Sequence, residues 1–137
     1  MQINKKEKEI LRELAKKVKE ISDQPIWKEK IDLWKRHNKL EKVRPMVMIS
    51  LEDGDVWKDI IPEKTLLCED EYIRGIELDL RKRIYRWEKL KDDTVIDGRI
   101  FTPIVVENTG FGINQEIIKP EEYAGAVHYQ PVIKEEK

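Results

Sequence analysis

Residues 69–90, EDEYIRGIELDLRKRIYRWEKL, constrain the fold more than any other stretch. Ile73, Ile76, Leu80, Ile84 and Trp87 recur at spacings of three, four, four and three, which places them on one face of an α-helix. An apolar stripe of that length has to be buried, so it is expected to form the spine of the core. Lys82 falls on the outer face. The carboxylates of CEDE (68–71) favour the positive end of this helix, with Asp70 as its cap. Gly75, inside it, costs about 1 kcal/mol relative to alanine and is expected to mark a close approach.

The flanking segments supply the rest of the core. Ile10, Leu11, Leu14, Val18 and Ile21 form a stripe on a first helix. SDQP (22–25) punctuates it, with Pro25 opening a second helix and Asp23 or Ser22 near its cap. Trp27, Ile31 and Trp34 repeat along that helix, Leu40 lies near its end, and the pair reads as a helical hairpin over about 4–41. At RPMVMISL (44–51) the period changes to a continuous apolar run, the pattern of a buried strand. EDGD reads as a turn, VWKDIIP as a short helical turn closed by Pro62, and TLLC as a brief strand. TVIDGRIFTPIVVE reads as two strands or one interrupted at Asp97-Gly98, and GAVHYQPVI is a last apolar run. The expected class is α+β, a single domain over 1–137, with the α+β part at about 44–133 and a small sheet.

Charged residues make up 40% of the chain, which suits amphipathic helices with solvated outer faces. Residues 1–42 hold 13 Lys/Arg against 8 Asp/Glu, a local excess of five positive charges. The lysines interleave with glutamates at helical spacing, the pattern of a solvated face rather than a nucleic-acid groove. Trp27, Trp34, Trp57 and Trp87 do not follow a basic track, so they read as core or interface anchors. No apolar run approaches the roughly 20 residues that span a bilayer, and the charged N-terminus lacks the apolar centre of a signal peptide. The lone cysteine, Cys68, has no disulfide partner in the chain. These features lead to an expected cytoplasmic location, without nucleic-acid or membrane partners.

The segment VVENTGFGIN (105–114) poses the sharpest chemical question. A dinucleotide loop needs a third glycine where Gln115 stands, and a Walker loop needs a glycine-lysine-Ser/Thr ending. Gly110 and Gly112 therefore read as a strand-exit turn. His37, His128 and Cys68 lie far apart with no metal-ligand spacing, so no metal site is expected. Acidic neighbours would raise the thiol pKa of Cys68, which makes it an inert buried residue rather than a nucleophile. No catalytic residue is assigned. The candidate ligand-contacting residues are Glu107, Asn108, Phe111, His128 and Tyr129.

RPMVMI, then LLCEDEYIRGIELDLRKRIYRWEKLKDDTVID, then VENTGFGI, then HYQPVIK resemble, in order and spacing, one group of proteins. It is the amino-terminal region of bacterial uroporphyrinogen decarboxylase-like proteins, relatives of corrinoid-dependent methyltransferases. The resemblance runs from about Leu11 onward. It implies an extension that precedes a (β/α)8 barrel; a barrel takes about 250 residues, so these 137 residues would not contain it. Porphyrin-decarboxylating members carry an Arg-Gln-Ala-Gly segment where this chain reads RPMVMIS followed by LEDGDVW. The methyltransferase branch binds zinc through a His-x-Cys pair and a later cysteine, and nothing here matches that set. A corrinoid partner and zinc are thus implied only for the related full-length methyltransferases.

The expected role is a non-catalytic N-terminal part of a methyltransferase-type protein of this group. It would pack against a barrel portion or form a homodimer, with Trp27, Trp57 or Phe101 as anchors. The alternative is an independent small-ligand-binding or protein-interaction module.

Overall fold

The computed structural model describes residues 4–51, 56–102, 104, 106, 116–118 and 126–131. In chain order these form α1 (Lys5–Ser22), α2 (Ile26–Asn38), α3 (Val56–Ile60), a 3-10 turn (Glu63–Thr65), α4 (Glu71–Tyr85) running into a π-helical turn (Arg86–Leu90), β1 (Ile117–Ile118) and β2 (His128–Tyr129). The two strands pair antiparallel, Ile117 opposite Tyr129 and Ile118 opposite His128. The chain is thus α+β, with helices dominant and a small sheet.

The stripe on α4 is its buried face: Ile73 and Leu80 are each 1% exposed, and Ile76, Ile84 and Trp87 are half-buried. Asp70 caps the helix as expected, its carboxylate accepting from the Ile73 N–H at 3.1 Å. Val18 and Ile21 of α1 are buried, and α1 packs against α4. The two run in the same direction. Near their N-termini the Glu7 carboxylate accepts from the N–H groups of Glu69 (2.9 Å) and Asp70 (3.2 Å), and from Asn4 at its own helix start. Near their C-termini Ile21 clusters with Ile84, Trp87, Trp27 and Ile96. Parallel helices align their dipoles unfavourably, and one carboxylate at both positive ends offsets that.

The second helix begins at Ile26. Ser22 ends α1, Asp23 caps its C-terminus, and no side chain caps α2. Trp27 is buried, whereas Ile31 is 39% exposed and Leu40 is 94% exposed with a left-handed φ of 59°. The contacts of α2 run to the end of α4 and beyond. Trp27 packs against Trp87 with ring centroids 5.4 Å apart, and the Trp34 indole donates to the Asp93 carbonyl at 2.7 Å.

Residues 44–51 are extended but not a buried strand, since Val47 and Met48 are more than half exposed. A side-chain ladder replaces the neighbouring strand. Val47 N–H donates to the Asp93 carboxylate while Asp93 N–H donates to the Val47 carbonyl, at 2.9 and 2.8 Å. Ile49 N–H donates to Asp92 at 2.9 Å, and Arg86 donates to the Ile49 carbonyl at 2.9 Å. The expected strand at TLLC is likewise a segment tied to a carboxylate, with Leu67 and Cys68 N–H groups both donating to Glu77. Residues 94–102 form no strand either; Arg83 of α4 holds them through the carbonyls of Asp97 (3.1 Å) and Arg99 (2.7 Å). The EDGD turn lies outside the described residues.

Two helix residues differ from their sequence reading. A Cβ at Gly75 would meet nothing within 4 Å, so this glycine marks no close approach. Lys82 is not on a free outer face: its ammonium sits 5.0 Å from the centre of the Trp57 ring.

Candidate functional site

Of the five residues singled out in the sequence, His128 and Tyr129 form β2, both exposed to solvent. Glu107, Asn108 and Phe111 lie outside the described residues, as do Gly110 and Gly112, so the constellation as a whole is not placed. The better-formed feature lies elsewhere. It is a half-open cleft of about 610 Å³ where α2 meets the end of α4.

The floor of the cleft is aromatic and aliphatic. Trp27 and Ile96 are each 5% exposed, with Ile26 and the half-buried Trp87 at its sides. Trp27 and Trp87 meet at an interplanar angle of 56°, one of the tilted arrangements that aromatic quadrupoles favour. Position follows from the backbone. The π-helical turn at Arg86–Leu90 carries one extra residue past the regular α-helical repeat, which changes where Trp87, Glu88 and Lys89 project. Lys91 then ends the helix with φ 52°, its N–H donating to the Arg86 carbonyl at 2.9 Å. That left-handed conformation is one glycine usually supplies.

One wall includes the buried Asp92, beside the equally buried Asp93. Asp92 accepts from Arg86 (3.0 Å), the Thr94 hydroxyl (2.9 Å) and the Ile49 N–H, and its carbonyl accepts from Lys30. Behind it Asp93 receives both arms of the Arg44 guanidinium, at 2.7 and 2.6 Å. The Arg44 bonds, aided by the Val47 N–H, hold the Asp93 carboxyl well below the usual carboxylate range. Asp93 is therefore ionised, and both carboxylates are saturated with donors, which suits them to bracing the wall rather than to proton transfer.

Cys68 is 1% exposed and its thiol pKa is pushed up to about 12, by burial first and then by its hydrogen bond to Glu77. Further contributions come from the charges of Glu77 and Glu7, whereas the sequence reading had looked to the adjacent acidic residues. Such a thiol is a poor nucleophile at neutral pH. Among the described residues no group of three or more His, Cys, Asp and Glu side chains is arranged to hold a metal ion. The donor set the methyltransferase branch would use has no counterpart there. Nor is any helix among them long and apolar enough to cross a membrane.

Comparison with protein-family models, curated proteins and solved structures finds no match to this chain.

Three of the structural carboxylates left a trace in the sequence. Glu77 lies four residues after Ile73 and three before Leu80, squarely on the apolar stripe, with Arg81 one turn further on. Asp92-Asp93 directly follow a helix C-terminus, where negative charge is unfavourable unless it is used. The Trp27–Trp87 pairing had no local signal, since the two residues come from separate helices.

Proposed function

We propose that this chain is a non-catalytic docking module, the N-terminal part of a uroporphyrinogen decarboxylase-like, methyltransferase-type protein. Its C-terminal apolar segment is covered by the barrel portion, and in the isolated chain by a second copy. One observation carries the reading: a run of large apolar side chains toward the C-terminus faces solvent. Phe101 is 75% exposed, Ile104 86% and Val106 74%, and Ile117, Ile118, Val127 and Tyr129 are all about half exposed. Exposed apolar surface on this scale favours association. Among the described residues β1 and β2 form a two-stranded sheet, and the outer edges of such a sheet can accept a further strand. Trp27 and Trp57, expected as interface anchors, are buried within the chain at 5% and 6% exposure, which leaves Phe101 as the anchor.

Sedimentation velocity at micromolar concentration tests the proposal. The chain is expected to self-associate, and a double change Phe101→Asp/Ile104→Asp to render it monomeric. A separately expressed barrel portion of such a protein should bind the original chain and not the variant. A monomeric original chain with no affinity for the barrel portion refutes the docking role.

A further inference from the structure

We propose that the Trp27–Trp87 cleft binds a planar aromatic carboxylate, its ring against the indoles and its anionic group among Lys30, Lys89 and Lys91. The inference rests on different observations from the docking role, because no described residue of 100–131 lines this cleft. Its volume of about 610 Å³ falls within the range of roughly 300–1,000 Å³ typical of small-ligand sites. The floor combines two indoles with Ile26 and Ile96, a surface suited to a flat apolar body.

The charge around that floor selects the other end of the ligand. Arg86 and Asp92 neutralise one another at 3.0 Å. The remaining charged lining residues are Lys30, Lys89 and Lys91 against Glu88 alone. Among the described residues Lys89 and Lys91 have no ion-pair partner, and both are exposed. Lys30 places its ammonium 5.2 Å from the centre of the Trp27 ring. The Asp92 carbonyl takes one of its protons, and an ammonium carries three. A carboxylate above the floor would therefore find a fixed donor beside the indole and two exposed ammonium groups nearby. A neutral ring would leave them unanswered.

The probe is 2-naphthoate, titrated into the 15N-labelled full chain while the four tryptophan indole N–H signals are followed. The signals of Trp27 and Trp87 are expected to move along one saturable curve, with Trp34 and Trp57, which do not line the cleft, unchanged. The double variant Lys89→Ala/Lys91→Gly should bind about tenfold more weakly, as should the neutral 2-naphthalenemethanol on the original chain. Glycine is chosen at 91 because the left-handed backbone accepts it, so the variant keeps its fold and its spectral dispersion reports that directly. The proposal is overturned by a lack of saturation at millimolar ligand, or by equal affinity for acid and alcohol. Affinity unchanged in the double variant, or shifts confined to residues 100–131, would overturn it equally.

Discussion

Replacing Glu77 tests whether carboxylates do the work of a missing strand. Its side chain is 0% exposed. It accepts from the Leu67 N–H (3.1 and 2.9 Å), the Cys68 N–H (2.9 Å) and the Arg81 guanidinium (2.8 Å). Burial pushes its carboxyl pKa up, but the bonds from Cys68, Arg81 and Leu67 outweigh that and hold it below the ordinary value. Glu77→Leu would fill the space yet orphan the Cys68 N–H and leave Arg81 unpaired. Breaking one side of a buried pair costs about 3–5 kcal/mol, a large share of the roughly 5–15 kcal/mol that holds a domain together. Glu77→Gln keeps one acceptor oxygen and loses the charge-assisted bonds, for a cost of about 1.5–3 kcal/mol. Asp79→Asn serves as the control: its pair with Arg83 is half-exposed and should be worth under about 1 kcal/mol. Urea unfolding followed by circular dichroism at pH 7 measures all three. Alkylation of Cys68 against pH gives a second readout. In Glu77→Gln the thiol pKa should fall below about 12, though not to the free value, because burial, its largest cause, persists. If Glu77→Leu is as stable as the original chain, the carboxylate is not what holds residues 66–68.

Other outcomes follow from the same contacts. Asp93 and Glu77 have folded-state pKa values below their ordinary ones, so as pH falls the unfolded chain takes up protons first. Their stabilisation is complete above the unfolded values and declines below about pH 4.5, continuing until the folded carboxyls themselves protonate. Thermal melts of Arg44→Ala should show a shallower acid decline, since Arg44 is the main cause of the Asp93 shift; an unchanged slope would count against that assignment. Backbone substitutions should stabilise the chain. Gly75→Ala removes a helix glycine from open space, and Leu40→Gly relieves a left-handed residue that is 94% exposed. Each is expected to gain about 1 kcal/mol, or about 4 °C in Tm, in differential scanning calorimetry. A loss at Gly75 would show that its face is in contact after all.

The amphipathic helices were legible in the sequence because a helix advertises its buried face through near neighbours. The stripes of α1 and α4 and the Asp70 cap needed no knowledge of the rest of the chain. The extended segments were only half legible. Residues 44–51 and 65–68 have the apolar character of strands, but what pairs with a strand edge is a non-local matter. Here Asp92, Asp93 and Glu77 meet those edges from helix positions or just beyond them. The parallel course of α1 and α4 was decided the same way, by Glu7 reaching the start of a helix more than sixty residues away. The cleft lay furthest from view. Its floor exists only because Trp27 and Trp87 converge from different helices, and its charge only because Asp92 cancels Arg86 while Lys89 and Lys91 have no ion-pair partner among the described residues. Periodicity records which side of an element is buried; which distant groups meet there is set by packing.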